Sequence, residues 1–366
     1  MNDFERLLVL NMVEDLGSIR TQSLLSHFGS LGKIFKAKES EFLEVKDIGR
    51  KIAPKIIQGI KEIDIDKELK LIKKLVVKVV TFLDEDYPKN LKNIYDPPVV
   101  LYVKGEILPQ DDVAVAIVGS RLASFYGMQS AERFGFELAS RGITVVSGLA
   151  RGIDSSAHKG ALKAKGRTLA ILGSGILNIY PEEHNKLAEE ISERGAVISE
   201  FPMMTIPEKG NFPKRNRVIS GLSLGVVVVE ASERSGALIT SDIAIEQGRE
   251  VFAVPGKIDS ITSKGTNRLI KQGAKLAESS DDILEELNLE SGNIKEPEKN
   301  LTPRLDKSEL LVYNLLSSRP QHIDELSEAS SMGVGEIFRI LLDLEIKKIA
   351  RQLPGKNFVR NTNLYK

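Results

Sequence analysis

The sequence predicts an α/β protein built on a doubly wound, mostly parallel sheet, with a small helical domain before it and a winged helix after it. Three observations carry this reading. From about Asp66 to Leu289, near-continuous apolar runs alternate with helical patterns, as expected of strands buried on both faces and the crossovers that join them. Ahead of that region there are only short helical segments. Behind it, a polar stretch with two prolines precedes three further helical patterns and a hairpin signal.

Residues 1–65 read as a helical domain. "VKDIGRKIAPKIIQGI" places an apolar-Gly turn (Ile48, Gly49) before a helix carrying Arg50, Lys51 and Ala53, as helix-hairpin-helix modules do to face a phosphate with backbone N–H groups. "LGSIRTQSLLSHFGSLGKIF" is a weaker copy. A plain helical bundle with glycine C-caps fits the same residues.

In residues 66–289, "VAVAIVGSR", "ITVVSGLARG", "RTLAILGSG", "AVISEFP", "LGVVVVEASERSG" and "EVFAVPGK" read as strands ending in loops. "GMQSAERFGFELASRG", "DSSAHKGALKAKG", "PEEHNKLAEEISERG", "ALITSDIAIEQGR" and "GTNRLIKQGA" read as the helices between them. Residues 290–306 read as a linker. Residues 307–366 supply three helices and a two-stranded hairpin around Pro354-Gly355, the outline of a winged helix. The last twenty residues hold six Lys or Arg and no acid. Such a wing suits duplex DNA or a protein contact.

Composition narrows the function classes. The 366 residues contain no Cys and four His, without clustered ligand spacing, so disulfides, thiolate chemistry and a metal site are not expected. No apolar run approaches membrane-spanning length, and the first fifteen residues mix acids with apolar residues and lack a leader-type cleavage site. A cytoplasmic protein without membrane contact is expected. Lys plus Arg and Asp plus Glu both number 51, which excludes a wholly basic nucleic-acid coat but not a local basic cleft.

In an open parallel sheet, ligands bind beyond the carboxyl ends of the strands. Here those ends carry Gly119-Ser120-Arg121, then Ser147-Gly148 with Arg151, then Gly173-Ser174-Gly175, Glu200, Glu230 with Ser235-Gly236, and Lys257. Small residues beside helix N-termini form anion nests, and arginines add forks for phosphate oxygens. "FPKRNR" brings Lys214, Arg215, Asn216 and Arg217 to the same side, and together these cations predict a row of phosphates. The structural alternative is an ionic network, Arg151 with Asp154, and Arg215 or Arg217 with Glu200 or Glu230. Asp154 suits an N-cap of the helix carrying His158 better than a catalytic pair with it. No serine has a readable triad, "GSGILN" lacks the third glycine of a dinucleotide fingerprint, and no Walker A sequence exists, so no cofactor is expected.

These motifs, with "YPEEH", "NFPKRNRVISGLS" and "GTNRLIKQGA", resemble in order the DNA-processing protein A family (DprA, also called Smf) over nearly the full chain. The resemblance implies an extended Rossmann-like domain, an N-terminal SAM or helix-hairpin-helix domain and a C-terminal winged helix. It also implies a non-enzymatic protein that binds single-stranded DNA, self-associates as a homodimer and loads RecA during natural transformation. Ser120, Arg121, Lys214, Arg215 and Arg217 would then hold phosphate. Gly148, Arg151, Gly236 and Lys257 would line the pocket. Self-association would use Gly265 to Leu276, with Leu269, Ile270 and Leu276 as its apolar residues. Two departures stand out: Glu182-Glu183-His184 replaces a basic residue common after "YP", so that either Lys186 compensates from the next helical turn or the contact is missing, and Ser241 replaces an alanine. Without tryptophan, any base stacking falls to Phe125, Tyr126, Tyr180 or Phe212. The rival reading is a phosphoribohydrolase-type enzyme using Glu200 and Glu230 on a nucleoside monophosphate, although "VPGKIDS" lacks the glycine-rich run of those enzymes.

Overall fold

The computed structural model describes residues 1–289, 305–317, 319–347 and 349–360. Most of the expected linker, and Lys348 and Lys366 of the basic C-terminus, lie outside the described residues. The chain opens with helices α1 (Asp3–Met12), α2 (Gly17–Phe28), α3 (Leu31–Ile34), α4 (Glu39–Phe42), α5 (Ile52–Glu62) and α6 (Ile65–Lys74). α1 starts at a capping box: Asn2 Oδ1 accepts from Glu5 N–H at 2.8 Å, and Asn2 N–H donates to Glu5 Oε2 at 2.9 Å. Leu7, Leu8, Leu24, Ile34, Phe42 and Ile56 form the buried centre of this bundle. Gly49, Arg50 and Lys51 are exposed ahead of α5.

The central sheet follows. Its elements are β1 (Lys78–Thr81), α7 (Lys89–Lys92), β2 (Val100–Gly105), β3 (Ala114–Val118), α8 (Phe125–Ser140), β4 (Thr144–Ser147), α9 (Ile153–Lys163), β5 (Thr168–Ile171), α10 (Asn185–Arg194) and β6 (Ala196–Ser199). Then come α11 (Asn211–Leu222), β7 (Gly225–Val228), α12 (Gly236–Glu246), β8 (Glu250–Ala253), α13 (Lys264–Lys271), β9 (Lys275–Leu276) and α14 (Ser280–Glu286). The strand order is β1-β2-β6-β5-β4-β3-β7-β8-β9. From β6 to β9 all neighbours are parallel, while β2 runs antiparallel to both β1 and β6. Each parallel strand from β3 to β7 is buried along its length, which is why the apolar runs lack polar alternation.

Two cores flank the sheet. α8 and α9 cover one face with Ala131, Phe134, Ala157 and Ala161. α11, α12 and α13 cover the other with Val218, Ile219, Leu238 and Leu269. α8 and α9 touch backbone to backbone, since a Cβ on Gly160 would lie 2.0 Å from the Glu132 carbonyl. The self-association residues separate here. Leu269 is 3% exposed and packs inside the second core, so it is not an apolar surface residue; the helix turns it inward while Ile270 stays half-buried. Leu276, on the edge strand β9, is exposed.

The C-terminal unit has α15 (Lys307–Leu315), β10 (Gln321–His322), α16 (Ile323–Ser330), α17 (Val334–Ile346), β11 (Ala350–Leu353) and β12 (Asn357–Arg360), with sheet order β10-β12-β11. This is a winged helix, with β10 added to the expected hairpin. α17, the helix such folds offer to a DNA groove, exposes a ridge of Val334, Phe338, Leu342 and Ile346 at four-residue spacing. Its Lys347 is held by Glu309 at 2.6 Å. Among the described residues, no helix is long and apolar enough to cross a membrane, and no cluster of three potential metal ligands occurs.

His158 lies fully buried in α9 and does not pair with Asp154. Its Nδ1 is 2.7 Å from Thr168 Oγ1, whose hydroxyl donates to the Val145 carbonyl at 2.8 Å, so Nδ1 carries the proton. Burial lowers its pKa to about 3, aided by His184 and Arg215. An imidazole depressed in the folded state stabilises fully above its unfolded pKa of about 6.5, and that stability is lost as pH falls toward 3. We therefore expect about 1.4 kcal/mol of destabilisation per pH unit across that window from this group. Urea melts of wild type and His158→Gln between pH 7.5 and 5 should differ by about one proton in slope.

Candidate nucleic-acid interface

β3 lies between β4 and β7, and the helices after β3 and after β7 leave toward opposite faces, which makes this the switch point of the sheet. A cleft of about 640 Å³ opens there. Its walls are the loops after β3 (Gly119–Leu122) and β7 (Ser232–Ala237), the first turns of α11, and Tyr180. The N-terminus of α12, capped by Ser235 Oγ accepting from Ala237 N–H at 3.3 Å, points into it and adds its partial positive charge.

The expected residues distribute unevenly. Gly119, Ser120, Arg121, Arg215, Asn216, Ser235 and Gly236 all line the cleft. Ser120 N–H is already committed to the Glu230 carbonyl at 2.7 Å, and Ser120 Oγ accepts from Leu122 N–H at 3.1 Å. Arg121 is exposed and makes no ion pair among the described residues. Ser147 must be corrected: it is fully buried and its hydroxyl donates to the Ile117 carbonyl at 2.6 Å, so it cannot meet a ligand. Lys186 and Lys257 are exposed but stand outside the cleft lining.

The "FPKRNR" cations split because they sit on a helix. Pro213 occupies the first turn of α11, where its missing N–H costs nothing. Phe212, Arg215, Asn216 and Ile219 then share the cleft face, while Lys214 and Arg217, three apart, share another. Arg217 is the clearest correction. It is no phosphate ligand: it forms a short ion pair with Glu200, a second with Asp96 at 3.1 Å, and donates to the Asp96 carbonyl at 2.6 Å. Burial raises the Glu200 carboxyl, and Arg217 opposes that rise. Lys214 is exposed on this side and outside the cleft, its charge acting on Asp15 and Glu200.

Arg215 is also corrected, to a floor residue. Only 4% exposed, it donates from Nη1 to the carbonyls of Gly148 (2.7 Å) and Ile171. Burial lowers its pKa to about 10, against the opposing pull of Asp154. Gly148 is required beneath it, since a Cβ there would lie 2.6 Å from the guanidinium. Asp154 does not cap α9; its Oδ2 accepts from Gly148 and Ala150 N–H at 3.2 and 3.3 Å and so fixes the loop before the helix. Burial raises the Asp154 carboxyl, with Arg215 working against it.

Glu230 is 3% exposed and braces the loops, accepting from Ser124 N–H (2.8 Å), Ser124 Oγ (2.6 Å) and Thr262 Oγ1 (3.1 Å). Arg151 pairs not with Asp154 but with Glu183, Nε to Oε1 at 2.5 Å, both exposed. Sequence reasoning missed this pair and Lys209, an exposed cleft-lining cation directly before α11. A lysine beside Gly210, just ahead of "NFPKRNR", was the available signal for the second.

The fold and site define a doubly wound α/β protein with a cationic, aromatic-walled cleft at its switch point and a winged helix behind it. Residues 78–288 match the family described as DNA recombination-mediator protein A, and residues 296–356 match the DprA winged helix domain. Protein Smf of Escherichia coli K12 is 41% identical over 77% of this chain and 79% of its own length. Protein Smf of Synechocystis is 32% identical over 96% of this chain and 98% of its own. DNA processing protein A of Streptococcus pneumoniae superposes with a TM-score of 0.68 at 34% identity, covering 78% of this chain and 99% of that one. The chain belongs to the DNA recombination-mediator protein A family.

Removing Arg217 would leave Glu200 and Asp96 without their cation in a site where the Arg217 and Glu200 side chains are only 13% and 15% exposed. Arg217→Ala should therefore cost about 3 kcal/mol of stability. Denaturant titration checks this, and the Arg217→Met, Glu200→Gln double variant should recover part of the loss.

Proposed function

We propose that this chain binds single-stranded DNA through its phosphates in the switch-point cleft, and acts as a non-enzymatic mediator that hands the strand to RecA. The carrying observation is the combination inside that cleft of Arg121, Lys209, the buried Arg215 and the α12 N-terminus, with Tyr180 and Phe212 on its wall. All offer positive charge or apolar surface. The relative from Helicobacter pylori, 30% identical over 58% of this chain with a TM-score of 0.52, is described by its single-stranded DNA binding mode, which supports the assignment. Action in the cytoplasm, as a homodimer, belongs to the same reading.

The enzymatic alternative needs a carboxylate poised beside the ligand. Neither Glu200 nor Glu230 lines the cleft; Asp154, which does, is 6% exposed and accepts from the Gly148 and Ala150 N–H groups. Incubation with AMP should release no adenine.

Fluorescence anisotropy of a labelled dT oligomer across salt concentrations tests the binding site. Arg121→Ala and Lys209→Ala should each weaken binding about tenfold and lower the salt slope by roughly 0.7, one phosphate contact on a single strand. Unchanged affinity and slope in both variants would sink the assignment.

A further inference from the structure

In a winged helix that reads duplex DNA, the helix in the groove carries cations and amides on its outward face. α17 does not. Ile337, Ile340, Leu341 and Leu344 turn its inner face into the core of the unit. Outward, Phe338, Leu342 and Ile346 follow one another at four-residue spacing and are 40%, 42% and 74% exposed. Between Val334 and Ile346 the helix holds one cation, Arg339, against Glu336, Asp343 and Glu345. A phosphate-lined groove would meet apolar and acidic groups here.

The apolar strip is held in place by the wing. The Phe338 ring stands edge-on to the buried Phe358, with centroids 6.5 Å apart and planes at 79°. Glu345 accepts from Gln352 N–H of β11 at 3.1 Å. Docking on such a strip orders little that is not already ordered. Gly335 lies on the same line two turns before Leu342, with open space where a Cβ would stand. Arg339 and Asp343 run along one edge of the strip, one turn apart, and neither forms an ion pair among the described residues.

These features complement themselves. Two α17 helices can be set antiparallel with the two-fold midway between Arg339 and Asp343. Each Arg339 then faces Asp343 of the other copy, Leu342 meets Leu342 beside the axis, and Ile346 comes over the gap at Gly335. A parallel pair would set that edge against the opposite one and bring Asp343 toward Glu345, so charge favours the antiparallel arrangement. We propose that α17 is an isologous docking face for α17 of a second copy of this chain. The face lies on the C-terminal unit, apart from the Gly265 to Leu276 segment, and depends neither on self-association there nor on the single-strand reading.

The chain has no cysteine, so single introduced thiols report the contact in the full-length protein. A short bismaleimide should join Leu342→Cys to its own copy, and should not join Glu325→Cys, exposed on α16. In the Leu342→Cys background, Arg339→Glu and Asp343→Arg should each lower the linked fraction about tenfold by setting like charges against each other. The two together should restore it to within about twofold, which a misfolded chain would not do. Leu342→Cys linking no better than Glu325→Cys, or charge reversals without effect, would overturn the proposal. So would a loss of duplex DNA affinity in Arg339→Glu with linking unchanged, since α17 would then read nucleic acid.

Discussion

The structure depends on one topological constraint. β3 must pair in parallel with β4 on one side and β7 on the other, and right-handed crossovers then send the two sets of helices to opposite faces. The divergence leaves a gap that no side chain fills. The gap brings together the Gly119–Leu122 loop, the capped N-terminus of α12 and the first turn of α11, from segments far apart in the chain.

Charge in this neutral chain is organised by burial. Cations whose stems run under the loops find partners: Arg217 with Glu200 and Asp96, and Arg215 with two carbonyls and the field of Asp154. Cations left at the rim, Arg121 and Lys209, remain open to solvent. The buried set fixes the loops and the exposed set gives the cleft its character. The Arg217 cluster also joins the helical N-terminal region to the sheet. Asn11 donates to the Glu200 carbonyl at 3.1 Å, Glu68 accepts from Met203 N–H at 2.8 Å, and Arg217 itself reaches the loop at Asp96 to which Ser18 also donates.

Much of the fold was legible in the sequence because strands buried on both faces leave unbroken apolar runs, and β3 to β8 fall where those runs lie. β1 and β9 carry exposed positions and only short runs, so they do not stand out from their surroundings. The loop glycines and Arg121 were legible from their place after strands. The fate of "FPKRNR" was not. Which of its cations faces the cleft depends on helix phase and on what the other face meets. One partner, Asp96, is 121 residues earlier in the chain, beyond any local pattern. Ser147 and Leu269 misled for a related reason: type and position suggested exposure, while the register of β4 and the phase of α13 turned them inward.

The central claim is that a single strand lies over the switch-point cleft. Hydrogen exchange of the full chain, with and without a saturating dT oligomer, addresses it most directly. The account predicts slowed exchange in peptides covering Gly119–Leu122, the Lys209–Asn216 segment and the start of α12, with α17 and the wing unaffected. Protection confined to α17, the wing or the exposed turn before α5 would contradict it, and would move the nucleic-acid site to one of the flanking helical units.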